Sequence, residues 1–348
     1  MHMPTGAGKT RTTMNLISEH LRQCEEGAVL WLASTKELCE QATLEFEQAW
    51  SYLGNRELPI LTFWGGKQIE LNKIYDGLVV ATPQTLYNKK QKYGLDFISE
   101  ISNRLTLIVF DEAHQAIART YRDITEQLAF NNNRNSETKI IGLTATPGKT
   151  FAGTQSDIDL VNFFRNHKVT LQVDQEGFSN PVRYLINKGY IAEAKFELLV
   201  PNSITSNNNY NDEIFNYDIE DNEPIRIDRI EYLLLVYQAI DKLIQYGHRR
   251  ILIFAASVEL SNDIAALLRT LNISADSIHS GTPSEIRAMC IERYRSKTNS
   301  IRILVNFGIL TTGFDAPQTS AAVIARPTKS LVLYSQMIGR AIRGEKAG

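Results

Sequence analysis

Three cysteines in 348 residues are too few and too scattered to hold a metal or a disulfide scaffold. Cys24, Cys39 and Cys290 form no CxxC pair, and an odd count offers no disulfide framework. They read as ordinary small side chains, buried or half-buried. Long hydrophobic runs are missing as well: no apolar stretch reaches the roughly 18–20 residues of a membrane helix. The N-terminus lacks the charged-then-apolar layout of a secretory signal. A cytoplasmic location with no membrane partner is the expectation. Charge of one sign is also scarce, since 37 Lys+Arg against 39 Asp+Glu leave a net −2. That balance excludes a histone-like electrostatic binder, while a local groove of donors can still grip nucleic acid under a neutral average.

What is present supports folding. The chain is 43% hydrophobic and 22% charged, which is enough apolar surface for sizeable cores, and at roughly 150 residues per domain the length suggests two domains. Its first half alternates amphipathic helical patterns with short, continuously apolar runs: Ala28 to Ala33, Gly77 to Ala81, Leu105 to Phe110 and Lys139 to Leu143. Such runs indicate strands of a parallel sheet covered on both faces, so the class is α/β. After Val200 the composition turns to PNSITSNNNYNDE, and no apolar period returns until Ile230. Residues 201–227 are expected to be a linker or irregular excursion.

A second alternating series follows, with strands expected at Arg250 to Ala255, Ala275 to His279, Ile301 to Asn306 and Ala321 to Ala325. Helices are expected at Val258 to Leu271 and Ser284 to Ser296. The Asn131 to Asn135 run is expected to be a solvated loop. The organisation reads as a first domain over 1–200 and a second over 228–348, both α/β.

The stretch Pro4-Thr5-Gly6-Ala7-Gly8-Lys9-Thr10 has the spacing of a P-loop relaxed only at its first position. Gly6, Ala7 and Gly8 let backbone N–H groups turn inward around a phosphate, Lys9 can reach the β and γ oxygens, and Thr10 offers a hydroxyl to Mg²⁺. A helix starting near Gly8 would point its positive end at the same anion. Directly after the run Leu105 to Phe110 comes Asp111-Glu112-Ala113-His114. Hydrolysis of a nucleoside triphosphate needs a carboxylate near Mg²⁺ and a second group to orient or deprotonate the attacking water. Asp111 suits the first role and Glu112 the second. The plainer alternatives are a glycine-rich turn and a solvated pair of acids at a strand end.

With these two motifs the chain resembles the superfamily 2 helicases and translocases. MPTGAGKT is similar to motif I, DEAH to motif II, and Thr144-Ala145-Thr146 to motif III. Leu310 to Asp315 resembles motif V, and Gln336 to Arg343 resembles motif VI. GFDAP together with SQMIGRAIRG looks most like the bacterial branch that includes restriction-enzyme motor subunits and related repair or defence helicases.

The resemblance implies two tandem RecA-like domains, ATP and Mg²⁺ as cofactors, and DNA before RNA as the polymer, with room for a nuclease or other subunit in a larger assembly. It further implies that ATP lies between the domains and that Arg340 and Arg343 meet γ-phosphoryl charge as arginine fingers. Their spacing on an apolar helical pattern would put both on one helix face together with Gln336, which looks like the family's nucleotide-sensing residue. Gly313 and Asp315 take positions near ribose and phosphates, and His114, Thr144 and Thr146 couple hydrolysis to domain movement.

Hydroxyls, glycines and exposed amides at strand ends can follow a sugar–phosphate chain without reading bases. By resemblance these are Ser34 and Thr35, Gly65 and Gly66, Thr82 and Pro83, Ser257, His279 with the following Ser280 and Gly281, Arg287, and Thr311 with Thr312. The basic clusters Lys89-Lys90-Gln91-Lys92 and His248-Arg249-Arg250 could add attraction, or be solvated helix ends. Remaining acids such as Asp157 with Asp159, or Asp218 with Glu220 and Asp221, lack the lysine a metal nuclease would place beside them.

Two departures qualify the resemblance. A complete family member has an apolar strand leading into the P-loop, whereas this chain enters the loop after Met1-His2-Met3, and little follows motif VI. The competing expectations are therefore an RNA helicase, or a core that binds nucleic acid or nucleotide without productive motor activity.

Overall fold

The computed structural model describes residues 1–24, 26–64, 74–130, 138–145, 155–199, 215–218, 224–310, 316–326, 328 and 330–344. The chain divides into two compact units, Met1–Tyr184 with Ser330–Val332 and Leu185–Lys329 with Leu333–Gly348.

In the first unit, helix α1 (Lys9–Gln23) is followed by β1 (Ala28–Leu32), α2 (Lys36–Leu53), β2 (Ile60–Phe63), β3 (Gly77–Ala81), α3 (Pro83–Ser102), β4 (Leu105–Phe110), α4 (Arg119–Phe130), β5 (Lys139–Gly142) and α5 (Gln155–Phe163), and α6 (Pro181–Asn187) spans the point where the second unit begins. The first unit's five strands form one parallel sheet in the order β2-β3-β1-β4-β5. Alternation along each strand sorts the side chains onto two faces. Leu30, Leu32, Val79, Ala81, Ile108 and Phe110 pack under α3 and α4, beside Leu86, Ile98, Ile101, Ile124 and Leu128. Val29, Trp31, Leu78, Val80, Leu107 and Val109 pack under α1 and α2, beside Met14, Ile17, Leu21, Cys39 and Phe46. Both faces are dry along β1, β3 and β4, which is why these strands read as near-continuous apolar runs.

Within the stretch expected to be linker, β6 (Phe215–Asp218) and β7 (Pro224–Ile227) pair antiparallel. Then come α7 (Arg229–Gln245), β8 (Arg250–Ala255), α8 (Val258–Thr270), β9 (Ala275–His279), α9 (Ser284–Arg295), β10 (Arg302–Phe307), β11 (Ala321–Ala325) and α10 (Leu331–Ile338). The second sheet is parallel, in the order β11-β8-β10-β9. Ile251, Ile253, Ile303, Val305 and Val323 face α7 and α8, and Leu252, Phe254, Ile278 and Leu304 face Cys290, Tyr294 and Met337. Among the described residues no helix is long and apolar enough to cross a membrane.

Three local expectations are corrected. Helix α10 ends at Ile338 and residues 339–341 form a turn, so Arg340 and Arg343 do not ride one helical face with Gln336. Arg343 instead lies opposite Ile191 in an antiparallel bridge, flanked by Ala192 N–H to Ile342 O at 2.8 Å and Gly344 N–H to Tyr190 O at 3.1 Å. Arg250 is no surface cation: it is 5% exposed and donates to the carbonyls of Ser296, Thr298 and Ser300. In the other basic cluster, Lys90 is paired with Asp123 at 2.5 Å, and Lys89 and Lys92 lie over the Tyr93 ring.

Candidate active site

All strands of a parallel sheet end on the same edge, and in open α/β folds ligands gather there. Register places the first unit's motifs on that edge together. Leu32 is level with Ala81 and Phe110, and Phe110 with Gly142. The residues that follow, Ser34, Thr82, Asp111 and Thr144, therefore emerge side by side. Asp111 N–H donates to Leu32 O at 2.8 Å, Leu143 N–H to Phe110 O at 2.8 Å, and Ala113 N–H to Leu143 O at 2.7 Å.

The P-loop enters beside β5. No strand precedes it in the described residues, yet Met1 to Met3 run extended and are held on both sides: His2 bridges Thr144 and Thr170, Met3 N–H donates to Thr144 O at 3.2 Å, and His2 N–H donates to Val169 O at 2.7 Å. The loop thus has a fixed N-terminal end. Its turn is closed by Ala7 N–H to Pro4 O at 3.1 Å. Gly6 and Gly8 have φ of 79° and 81°, the left-handed region that glycine enters without a Cβ penalty. Gly8 caps α1, which has neither a side-chain cap nor an acid in its first turn. The positive end of α1 is therefore not neutralised by a capping side chain. Lys9 Nζ folds over the loop and donates to Met3 O at 3.2 Å and Pro4 O at 3.3 Å. Thr10, one residue on, lies half-buried in the first helical turn.

Across the edge, Asp111 Oδ1 accepts the Glu112 N–H at 3.1 Å, which fixes the carboxylate's rotamer. Glu112 sits at φ 54°, ψ 58°, in the left-handed region that a non-glycine residue occupies at a cost of about 1–2 kcal/mol. That turn brings its Oε2 to 3.4 Å from His114 Nδ1, and His114 is only 7% exposed. Cys39 marks the depth of this corner: burial, and after it the charge of Asp111, push its thiol up to about 12, so it is an inert neighbour. His2 Nε2 lies 3.1 Å from Ala145 O, so this nitrogen carries the ring proton toward a carbonyl that can only accept. Burial lowers the pKa of His2 first; the Ala145 contact opposes this, and the charges of Lys168 and Lys9 reinforce it.

Chemically, the edge offers a cationic loop, two carboxylates in fixed geometry and a hydroxyl. Among the described residues no group of three or more His, Cys, Asp or Glu could hold a metal by itself. The donor set suits Mg²⁺, which is usually held by one or two carboxylates with substrate phosphates completing its shell.

Several expected polymer-contacting residues cap helices. Thr35 Oγ1 accepts Leu38 N–H at 3.3 Å, Thr82 Oγ1 accepts Thr85 N–H at 3.2 Å with Pro83 buried behind it, and Ser257 Oγ accepts Leu260 N–H at 3.2 Å. Capping uses an oxygen lone pair and leaves the hydroxyl proton for another acceptor. Near Ser257, the Glu259 carboxyl is held below the usual range by its own backbone amide first and by Ser257 second. His279 Nδ1 accepts Gly281 N–H at 3.2 Å, and Arg287 secures the same loop through Ser280 O and Thr282 O. Gln336 is 9% exposed, and Arg340 and Arg343 are half-buried. Gly65, Gly66, Thr146, Thr311, Thr312, Gly313 and Asp315 lie outside the described residues, as does the Asn131 to Asn135 run.

Sequence reasoning passed over two residues at these edges. His2 could have been found as the last but one residue before the loop, and Arg326 as the cation directly ending the apolar run Ala321 to Ala325.

Comparison with known proteins agrees with the fold. Residues 1–149 match the family model "Type III restriction enzyme, res subunit" and residues 235–345 match "Helicase conserved C-terminal domain". The chain is 26% identical over 351 residues to IRC3 of Saccharomyces cerevisiae, named as an ATP-dependent helicase, covering 98% of this chain and 45% of that protein. It is 26% identical to a 51.5 kDa protein of a Lactococcus phage, over 98% of this chain and 61% of the relative. To the pre-mRNA-processing ATP-dependent RNA helicase PRP5 of Vanderwaltozyma polyspora it is 24% identical, over 99% of this chain and 37% of the relative. The chain thus spans about half the length of the curated relatives it matches.

Two solved structures resemble it at a TM-score of 0.60. One is S. cerevisiae Dbp5 bound to RNA and ADP BeF3, 16% identical over 97% of this chain and 75% of that one. The other is a fragment of an HsdR subunit of a type I restriction enzyme from Vibrio vulnificus YJ016, 17% identical over 99% of this chain and 57% of that one. Both likenesses show the fold, tandem RecA-like domains. With its two matched domains in order, and with motifs I and II on one sheet edge beside Thr144 and Ala145, the chain has the make-up of a superfamily 2 helicase core.

Proposed function

We propose that this chain is an ATP-hydrolysing helicase or translocase core acting on DNA in preference to RNA. The observation that carries the reading is the convergence of Lys9, Thr10, Asp111 and Glu112 on the carboxyl edge of one parallel sheet, with Glu112 held in a left-handed turn of the kind that recurs at functional sites. Gly6, Ala7 and Gly8 and the end of α1 cradle the phosphates, and Lys9 leaves its own loop's carbonyls for the β and γ oxygens. Thr10 and Asp111 hold Mg²⁺, which when bound neutralises phosphate charge. Glu112 orients the attacking water and takes its proton, with His114 fixing the carboxylate from behind. Arg340 and Arg343 serve as the cations that meet transition-state charge, Gln336, Gly313 and Asp315 as nucleotide contacts, and Thr144 and Thr146 as coupling residues. Ser34, Thr35, Gly65, Gly66, Thr82, Pro83, His279, Thr311 and Thr312 follow the polymer backbone, and Ser257 acts chiefly as a cap.

The preference for DNA is supported by the match to a restriction-enzyme subunit family, while the likeness to PRP5 supports an RNA reading. Steady-state ATP turnover measured without polymer, with single-stranded DNA, with duplex DNA and with RNA separates them. DNA is expected to stimulate most. Turnover no faster than that of Glu112→Gln at saturating polymer, with polymer affinity indifferent to nucleotide, would reduce the chain to a binding core.

A further inference from the structure

Arg326 ends β11 on the carboxyl edge of the second sheet, one residue beyond the pair Ala325 and Ala255. Its backbone is fixed there: buried Tyr232 donates its Oη–H to Ala325 O at 2.6 Å. Its guanidinium lies over the Phe307 ring, 5.7 Å from the centroid, at the end of the strand that pairs with β8. A stacked guanidinium keeps its in-plane N–H groups directed away from the ring and loses little further freedom on meeting an acceptor. Nε is buried, and it has no hydrogen-bond acceptor among the described residues; no carboxylate of the described residues pairs with this side chain.

Buried donors in native structures are almost always satisfied, and a fixed, unpaired guanidinium at a ligand-binding edge is suited to a bidentate acceptor carrying negative charge. Carboxylate and phosphate both fit that description. Phosphate is favoured because the proposed motor supplies it twice, as polymer backbone and as nucleotide, so the inference rests on the reading above. We infer that Arg326 is a phosphate-binding residue, held ready by Phe307 and Tyr232. The shared chemistry is one phosphate group gripped by the guanidinium fork.

Three proteins decide the matter: wild type, Arg326→Ala and Arg326→Lys. Each is titrated with fluorescein-labelled single-stranded DNA by anisotropy at several salt concentrations, and with a fluorescent ADP. A lost charge-assisted contact is expected to weaken the relevant ligand about tenfold or more in Arg326→Ala. If the phosphate belongs to the polymer, DNA affinity falls, the salt slope flattens by about 0.7, and ADP affinity holds. Arg326→Lys then restores the slope but only part of the affinity, since it keeps charge without the fork. If the phosphate belongs to the nucleotide, ADP affinity falls and the DNA slope holds. Unchanged affinities for both ligands in Arg326→Ala, with wild type binding and hydrolysing normally, overturn the assignment alone. Should Arg326→Ala fail to fold, Arg326→Lys and Phe307→Leu carry the same comparison. A wild-type protein that binds neither ligand overturns the motor reading and this inference together.

Discussion

Glu112 and His114 meet at 3.4 Å, Oε2 to Nδ1, although a single residue separates them in the chain. In a strand or helix, side chains two apart do not meet this way; they do so here because Glu112 takes φ 54° and folds the backbone back. Ala113 N–H, bonded to Leu143 O at 2.7 Å, holds the turn against β5. The acidic corner is thus tied to the strand that leads into Thr144, and a shift at one is felt at the other.

Glu112 is expected to act on chemistry and not on binding. Glu112→Gln keeps the side chain's shape beside His114 while removing the base, so kcat for ATP should fall at least about 100-fold with KM changed by less than about threefold. A polymer-stimulated steady-state assay checks this. A fall of less than tenfold would assign the proton to another group.

Gly8→Ala separates folding from phosphate binding. A Cβ at Gly8 meets nothing within 4 Å, but φ is +81°. The stability loss should therefore be only the conformational term, about 1 kcal/mol, whereas nucleotide affinity should drop at least tenfold as the loop's amides lose their aim. Urea unfolding reads the first and calorimetric titration with ADP the second; a large loss of stability with intact affinity would contradict the cradle.

Much of this was legible before the structure. β3, β4, β8, β9 and β11 begin and end where the runs in the sequence do; β3 and β8 are buried at every position, whereas β9, at the sheet edge, carries Asp276 and Ser277 and keeps only Ala275 and Ile278 buried. β2 escaped notice because Ile60–Phe63 is short, follows Pro59, and keeps three of its four residues only half-buried at the sheet edge. The stop at Ile338 was illegible for a different reason: Ile342 and Gly344 pair with the distant Ala192 and Tyr190, and such non-local hydrogen bonds override a helical pattern. At the candidate site, glycine spacing located the loop. The left-handed turn at Glu112 and the hold of His2 on Ala145 depend on backbone geometry that no residue type announces.

Acid should destabilise the first unit through His20. Its pKa is lowered, first by burial and then by the charge of Lys139, while Nε2 sits 2.8 Å from Thr106 Oγ1. The folded state therefore binds a proton less readily than the unfolded chain, whose histidine titrates near 6.5. Stability is full above that value and is lost as pH falls through it. The unfolding midpoint of wild type should drop between pH 7.5 and 5.5, and His20→Gln should flatten that dependence. His2, lowered for the same first reason, supplies a second part of the slope. An identical slope in the variant would remove His20 as a source.

Arg250 tests whether the cluster His248-Arg249-Arg250 serves the polymer or the fold. Its guanidinium ties together the turn after α9 through Ser296 O at 2.5 Å, Thr298 O at 2.8 Å and Ser300 O at 2.6 Å, with no carboxylate among these contacts. Burial lowers its pKa, and the carbonyl dipoles stand in for the water it has lost. Removing it takes a charged donor from all three carbonyls, of which Ser296 O also accepts Thr298 N–H at 2.9 Å, and Arg250→Lys reaches fewer of them. Arg250→Ala should cost about 3 kcal/mol in urea unfolding and Arg250→Lys somewhat less, while the salt slope of DNA binding stays at the wild-type value, because a buried guanidinium releases no counterions from the polymer. A flattened slope with unchanged stability would return Arg250 to the nucleic-acid surface.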